Sequence, residues 1–394
     1  MQNSSNPYVI GLIGNLGAGK SQVRRMLERL GGLGIDADLL SHRVLAQNTS
    51  VYQQVVDQFG TGILNERGGI ERAKLALLVF SDADRLAQLE RLIHPAVETL
   101  CEKILARTSA PFVVIEAIKL LESKLVNACD SIWSVQVPLE IQVERVMRTR
   151  GMTRQQAMQR IQHQSQPEEK AHAAQVMIDN SAGLDSTWKQ VAAVLADLRN
   201  SNEQFSQAMQ GYESWKNRHH DMRLLQPANS TLTRKLITAA QPVDWVNGWI
   251  SAAMHRYAEQ FKMVSRANYF EMLVNFQGLL HQPAGKPELL SILQLENFIL
   301  QPLYLFQLNQ QKPADISGWL GALQVAANHY FCEAILLPIS RKNTSIINQM
   351  AGFGYEILSS EDELCDLWQS EVARTRLSGY NVLAKKLHHH LTVD

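Results

Sequence analysis

The sequence predicts an α/β fold in two parts: a doubly wound, mostly parallel sheet over the first 200 residues, then a second, mixed α/β domain. Three observations predict it. Short apolar runs alternate with helical periodicity as far as residue 199. The first run, Tyr8 to Ile13, passes straight into a glycine-rich loop and then a helix. The pattern changes character after a polar stretch at 200–220.

Taken in order, Tyr8 to Ile13 is a buried strand, and Val23, Met26, Leu27 and Leu30 mark one face of the helix after the loop. Leu33 to Ile35 is a short second strand. Helical segments cover 39–108. Pro111 precedes the third strand, Phe112-Val113-Val114-Ile115, and Ser131 to Val137 is the fourth. Helices return over 139–174, Val176-Met177-Ile178 is a short fifth strand, and a last helix covers 185–199. The Ser-, Asn-, Gln- and His-rich stretch at 200–220 reads as the end of a helix plus a linker. Beyond it lie strand-like runs at 222–225, 268–281 and 288–307, a helix at 315–331, a strand at 334–339 and a helix at 343–352.

Composition narrows the function. The 394 residues exceed one average domain, and 38 basic residues balance 38 acidic ones. No global charge favours nucleic acid or an anionic membrane, so an anion site has to be built locally. Cys101, Cys129, Cys332 and Cys365 lack metal-ligand spacing and suggest no disulfide framework. Met1 to Pro7 is short and polar, without the basic and apolar regions of a leader, and no 18-residue uncharged apolar stretch predicts a membrane span. The expectation is a reduced cytoplasmic protein with neither nucleic-acid nor membrane partners.

The local anion site is Gly14-x4-Gly19-Lys20-Ser21, a Walker A pattern placed after a strand and before a helix. Glycines let the backbone wrap a phosphate, and successive N–H groups then form an anion nest. The helix adds its N-terminal partial charge. Lys20 supplies a mobile cation for the β- and γ-phosphates, and Ser21 offers a hydroxyl to Mg²⁺.

Phosphoryl transfer needs in addition a group that orients the attacking hydroxyl and cations over the moving phosphate. Asp36 and Asp38 follow the second strand; in extended backbone, residues two apart face the same way, while in a loop the pair would cap a helix instead. Arg145, Arg148, Arg150, Arg154 and Arg160 crowd one stretch, with Arg160 and Gln164 on one helix face. Such arginines suit a closing lid, or alternatively a solvated basic face. Glu116, at the end of a strand, is either a water-mediated Mg²⁺ contact or a plain strand-end acid.

With these residues in view, the chain resembles the dephospho-CoA kinase family over 8–199. The resemblance runs through Gly11-Leu12-Ile13-Gly14-Asn15-Leu16-Gly17-Ala18-Gly19-Lys20-Ser21, Ile35-Asp36-Ala37-Asp38 and Gly69-Ile70-x-Arg72. It continues with Leu75, Val79-Phe80, Leu92-Ile93-His94-Pro95, Arg145, Arg160-Ile161-x-x-Gln164 and Val176 to Asn180. It departs at Lys119, where the family carries a proline, and at Thr149, where it commonly carries an arginine.

The resemblance implies a P-loop nucleoside-monophosphate-kinase-like domain at 1–200, with an inserted helical acceptor-binding subdomain at 42–100 and a lid at 148–172. A linker at 201–221 and a second domain at 222–394 complete the expected organisation. The implied reaction is ATP- and Mg²⁺-dependent phosphorylation of the 3′-hydroxyl of dephospho-CoA, giving CoA and ADP. In it, Asp38, Lys20, Arg145 and Arg160 would be catalytic. Asn15, Leu16, Gly17, Ala18, Gly19, Lys20, Ser21 and Asn180 would hold ATP, Ser21 also touching the metal. Asp38, His94 and Gln164 would contact the acceptor. The alternatives are a P-loop kinase for another small acceptor, such as a nucleoside monophosphate, and a catalytically weak CoA- or nucleotide-sensing scaffold.

Residues 222–394 resemble, more weakly, the acyl-CoA N-acetyltransferases. The likeness rests on Ala334-Ile335-Leu336-Leu337-Pro338-Ile339, Asn343 and Gly354-Tyr355. Asp315 and Ser317 stand where that family's phosphate-binding glycines would be, which implies a degenerate module for binding, self-association or regulation.

Overall fold

The computed structural model describes residues 7–47, 49–162, 164, 167–242, 266–296, 298–308, 315–359 and 380–387. The chain opens with β1 (Tyr8–Ile13), α1 (Lys20–Arg29), β2 (Leu33–Asp36), α2 (Ala37–Val44), α3 (Ser50–Phe59), α4 (Arg72–Phe80) and α5 (Ala83–Arg107). Then come β3 (Phe112–Glu116), β4 (Ser131–Gln136), α6 (Leu139–Arg150), α7 (Arg154–Gln162), α8 (Pro167–Ala173), β5 (Val176–Asp179), α9 (Leu184–Ser201) and α10 (Glu203–Arg218). The second half holds β6 (Met222–Leu225), α11 (Ser230–Ala239), β7 (Gln241–Pro242), α12 (Arg266–Asn275), β8 (Gln277–His281), β9 (Leu289–Glu296) and β10 (Ile299–Gln307). It ends with α13 (Ile316–His329), β11 (Ala334–Ser340), α14 (Thr344–Gly352), β12 (Glu356–Ile357) and β13 (Tyr380–Lys386).

These elements form two compact units: residues 1–35, 109–294 and 302–330 in one, and 36–108, 295–301 and 331–394 in the other. In the first unit the five-stranded sheet has the order β2-β3-β1-β4-β5, with β1 parallel to both β3 and β4. Strands covered on both faces read as continuous apolar runs, as Tyr8–Ile13 and Phe112–Ile115 do. Ile10, Leu12, Phe112, Val114, Trp133 and Val135 are buried, packed with Val23 and Leu27 of α1 and Val191 of α9. The register sets Leu12 beside Glu116, so the carboxylate lies at the carboxyl ends of the strands, where open α/β sheets bind ligands.

Two expectations are corrected. The stretch read as a helix end plus linker is a 16-residue helix, α10, whose Asn202 side chain accepts from Phe205 N. Phe205, Met209 and Tyr212 recur at helical spacing and are buried, with the Phe205 ring 5.4 Å from those of Tyr8 and Phe112. A polar composition concealed this apolar stripe. Likewise 268–281 is not one strand: α12 occupies its first part, and β8 starts at Gln277, antiparallel to β6 and β9.

In the second unit α2 packs on α5, and α5 runs unbroken through Pro95. Ile299 and Leu300 of β10 pair parallel with Ala334 and Ile335 of β11, and β13 pairs antiparallel with β11 and β12. Here the strand order is β12-β13-β11-β10, and the pairings combine parallel with antiparallel. Among the described residues no helix is long and apolar enough to cross a membrane. Among the described residues Cys101, Cys129 and Cys332 take part in no disulfide; Cys365 lies outside the described residues.

Candidate active site

The loop from Gly14 to Ser21 leaves β1 and enters α1. Gly17 (φ 79°) and Gly19 (φ 95°) are left-handed. A Cβ on Gly17 would lie 2.8 Å from Gln142 O, and one on Gly19 would lie 2.1 Å from Asn180 Nδ2. Both positions therefore require glycine, for conformation and for space. Lys20 opens α1 and folds back so that Nζ donates to Gly14 O at 2.9 Å. The loop thus has the turned backbone and the cation that a polyphosphate requires.

Behind the loop is a chain of charged groups. Ser21 Oγ donates to Glu116 Oε1 at 2.7 Å, and Arg24 Nε donates to Glu116 Oε2 at 2.8 Å. Arg24 also reaches Glu28 at 2.5 Å. Glu116 is therefore tied directly to the Walker serine, which spacing alone could not reveal. A hydroxyl beside a carboxylate is a hard oxygen donor set of the kind Mg²⁺ accepts alongside substrate phosphates and water. Among the described residues no cluster of three or more His, Cys, Asp or Glu side chains could hold a metal alone.

Other expected site residues brace the loop. Asn180 Nδ2 donates to Ala18 O at 2.9 Å, and Asn180 Oδ1 accepts from Thr187 Oγ1 at 2.8 Å. Arg145 Nη2 donates to Asn180 O at 2.8 Å, while Nη1 lies 3.5 Å from Gly17 O and Ala18 O. Burial, then the neighbouring Arg148, pushes the Arg145 pKa below its ordinary value. Gln164 Oε1 accepts from Leu16 N at 2.6 Å, and Asn15 Oδ1 accepts from Lys170 Nζ, both ends buried. Arg160 is exposed on α7. Lys170 and Thr187 carried no sequence signal: one reads as a surface lysine, the other as a routine helix residue.

Of the two readings open for Asp36 and Asp38, a shared face or a helix cap, the structure gives Asp36 the cap. Asp36 is extended (φ −97°, ψ 99°) and caps α2, its Oδ1 accepting from Leu39 N at 3.0 Å. Asp38 is already in the first helical turn and exposed, so the two-residue strand period does not apply. His94 is exposed in the middle of α5. His42 contacts Arg72 Nη1 at 2.8 Å. Burial, followed by that guanidinium, lowers the His42 pKa to about 4.

The dephospho-CoA kinase family profile matches residues 8–186. The dephospho-CoA kinase of Carboxydothermus hydrogenoformans is 40% identical over 190 residues, covering 48% of this chain and 92% of that protein. That of Geobacter sulfurreducens is 39% identical over 191 residues, covering 48% and 97%. Among solved structures, TT1252 from Thermus thermophilus is 33% identical over 49% of this chain and 99% of its own, with a TM-score of 0.44. With nearly the whole length of such relatives matched and the phosphate loop in place, the chain belongs to the dephospho-CoA kinase family.

Proposed function

We propose that this protein transfers the γ-phosphoryl group of ATP to the 3′-hydroxyl of dephospho-CoA, the activity of the family to which it belongs. The observation that carries the mechanism is the loop from Gly14 to Lys20, closed by left-handed glycines and braced from behind by Asn180 and Arg145. Such a loop binds phosphate by position and charge, which is most of what phosphoryl transfer demands of a protein.

Each residue then has a separate task. Backbone N–H groups of Asn15, Gly17, Gly19 and Lys20 hold the polyphosphate, and Lys20 exchanges its bond to Gly14 O for phosphate oxygens. Ser21, backed by Glu116, would hold Mg²⁺, which would neutralise charge on the transferring group. Arg145 and Arg160 spread positive charge over the phosphates. Asp38 orients the acceptor hydroxyl and accepts its proton, and His94 contacts the acceptor. Gln164 links lid to loop through Leu16 N. Residues 1–200 constitute the kinase domain. Residues 222–394 form a second module, and self-association would be through it. Cytoplasmic placement, without nucleic-acid partners, belongs to the same reading.

Two substitutions test it. Lys20→Ala should weaken ATP binding at least tenfold by calorimetry. Asp38→Asn should lower kcat with dephospho-CoA by about 10²- to 10⁴-fold, the range of general acid–base contributions, while leaving the KM for ATP unchanged. Full kcat in Asp38→Asn would contradict the assignment.

A further inference from the structure

Within the second unit, α2 is held by an acid from far along the chain. Arg43 and Glu333, 290 positions apart, form a two-pronged ion pair: Nη1 to Oε1 at 2.6 Å and Nη2 to Oε2 at 2.5 Å. Their side chains are 5% and 3% exposed. The Arg43 guanidinium also lies 5.4 Å from the centroid of the Phe298 ring.

Glu333 is itself fixed by backbone. Its N–H donates to Phe298 O, and its carbonyl accepts from Leu387 N, both at 2.7 Å. Phe298 (φ 61°) and Phe331 (φ 54°) both adopt the left-handed conformation, and their rings meet edge to face at 6.4 Å. Bulky residues seldom sit there, and such outliers persist where the surroundings over-determine them. Two strained turns therefore aim one carboxylate at one arginine.

Stability alone is a weak reason for such a pair, because desolvation of two charges offsets much of their attraction. What a buried two-pronged pair supplies is fixed geometry. Here the geometry belongs to α2, which is eight residues long. Asp36 caps its start, Asp38 lies in its first turn and Arg43 in its last. A helix this short moves as a rod, so an anchor at Arg43 constrains Asp38. Displacing a reacting group by about 1 Å can lower a rate by about 10²-fold.

We propose that Glu333 is a positioning residue for phosphoryl transfer: a side chain from the second half of the protein holds, through Arg43, the helix that presents Asp38. This rests on the functional reading above. It gives the second module a task in the kinase reaction whether or not that module binds a ligand of its own.

The test uses the full chain with Glu333→Gln, which removes the charge, and Glu333→Asp, which keeps it but shortens the reach. Hydrogen exchange over residues 39–44 and steady-state kinetics are measured for each, alone and in an Asp38→Asn background. The proposal expects faster exchange in α2 with α1 unchanged. It also expects kcat at least tenfold lower for Glu333→Gln and about threefold lower for Glu333→Asp, with the KM for ATP within twofold. In the Asp38→Asn background neither substitution should lower the residual rate by more than about twofold, because the group being positioned is gone. Unchanged α2 exchange in a folded variant, or equal losses with and without Asp38, would overturn it. Should Glu333→Gln fail to fold, Glu333→Asp decides. Absence of dephospho-CoA turnover in the unmodified chain would instead overturn the functional reading, while exchange would still decide whether Glu333 holds the helix.

Discussion

Glu116→Gln is the substitution whose consequences the structure fixes most closely. The carboxylate is 7% exposed, accepting from Ser21 on one oxygen and Arg24 on the other. A glutamine fits the same volume but has one acceptor. Arg24 can only donate, so the amide oxygen must face it, and the NH₂ then points at Ser21, whose hydroxyl has to turn and accept. A charge-assisted bond of about 1.5–3 kcal/mol becomes a neutral one of about 0.5–1.5. Arg24 keeps Glu28 at 2.5 Å, so the larger penalty of about 3–5 kcal/mol for stranding a buried charge does not arise. The expected loss is about 1–2 kcal/mol, which for a domain of this size lowers Tm by about 2–8 °C. Calorimetry measures it, and kinase activity titrated with Mg²⁺ reads the second effect. If Ser21 and Glu116 together hold the cation, half-saturation should move to higher Mg²⁺ with the KM for dephospho-CoA unchanged. A variant with unaltered Tm and unaltered Mg²⁺ dependence would refute both the strength assigned to this pair and its role.

Gly19→Ala should reduce ATP affinity more than tenfold by calorimetry, since the added carbon lies 2.1 Å from Asn180 Nδ2 and the φ of 95° is left-handed. Phe205→Ala should destabilise the first unit by about 3–5 kcal/mol in urea unfolding, because a fully buried ring against Tyr8 and Phe112 is lost. Stability should also fall in acid. His329, stacked at 4.3 Å on Trp215, has its pKa lowered to about 4, by burial first and then by His219 and Lys216. The unfolded chain therefore takes up a proton near pH 6.5 that the folded chain refuses. This contribution is complete above pH 6.5 and declines by about 1.4 kcal/mol per pH unit toward pH 4. His329→Phe should flatten urea midpoints compared at pH 7 and pH 5; an unchanged slope would contradict the assignment.

The phosphate loop, the five parallel strands and the helices between β4 and β5 were legible because each announces itself locally, by glycine spacing, apolar runs or helical period. Helix α10 was not, since the sparse stripe Phe205, Met209, Tyr212 is diluted by Gln, Ser and Glu, and its partners Tyr8 and Phe112 are remote in sequence. Helix α12 was read as strand because Tyr269, Phe270 and Val274 favour strands locally, while burial against its neighbours decides the conformation. Asp36 and Asp38 left two readings open for a sharper reason. The chain changes from period 2 to period 3.6 between them, and a cap occupies the first of the pair. Glu333 was invisible altogether. Nothing near it in sequence marks an acid whose partner is Arg43, 290 positions away.

The most direct test of the central claim is ADP release by the purified full chain with ATP and Mg²⁺, comparing dephospho-CoA, AMP, CMP and no acceptor. Dephospho-CoA alone should drive turnover, with phosphate appearing on its ribose 3′-oxygen. ATP binding without turnover on any acceptor, or turnover on AMP or CMP in preference to dephospho-CoA, would contradict it.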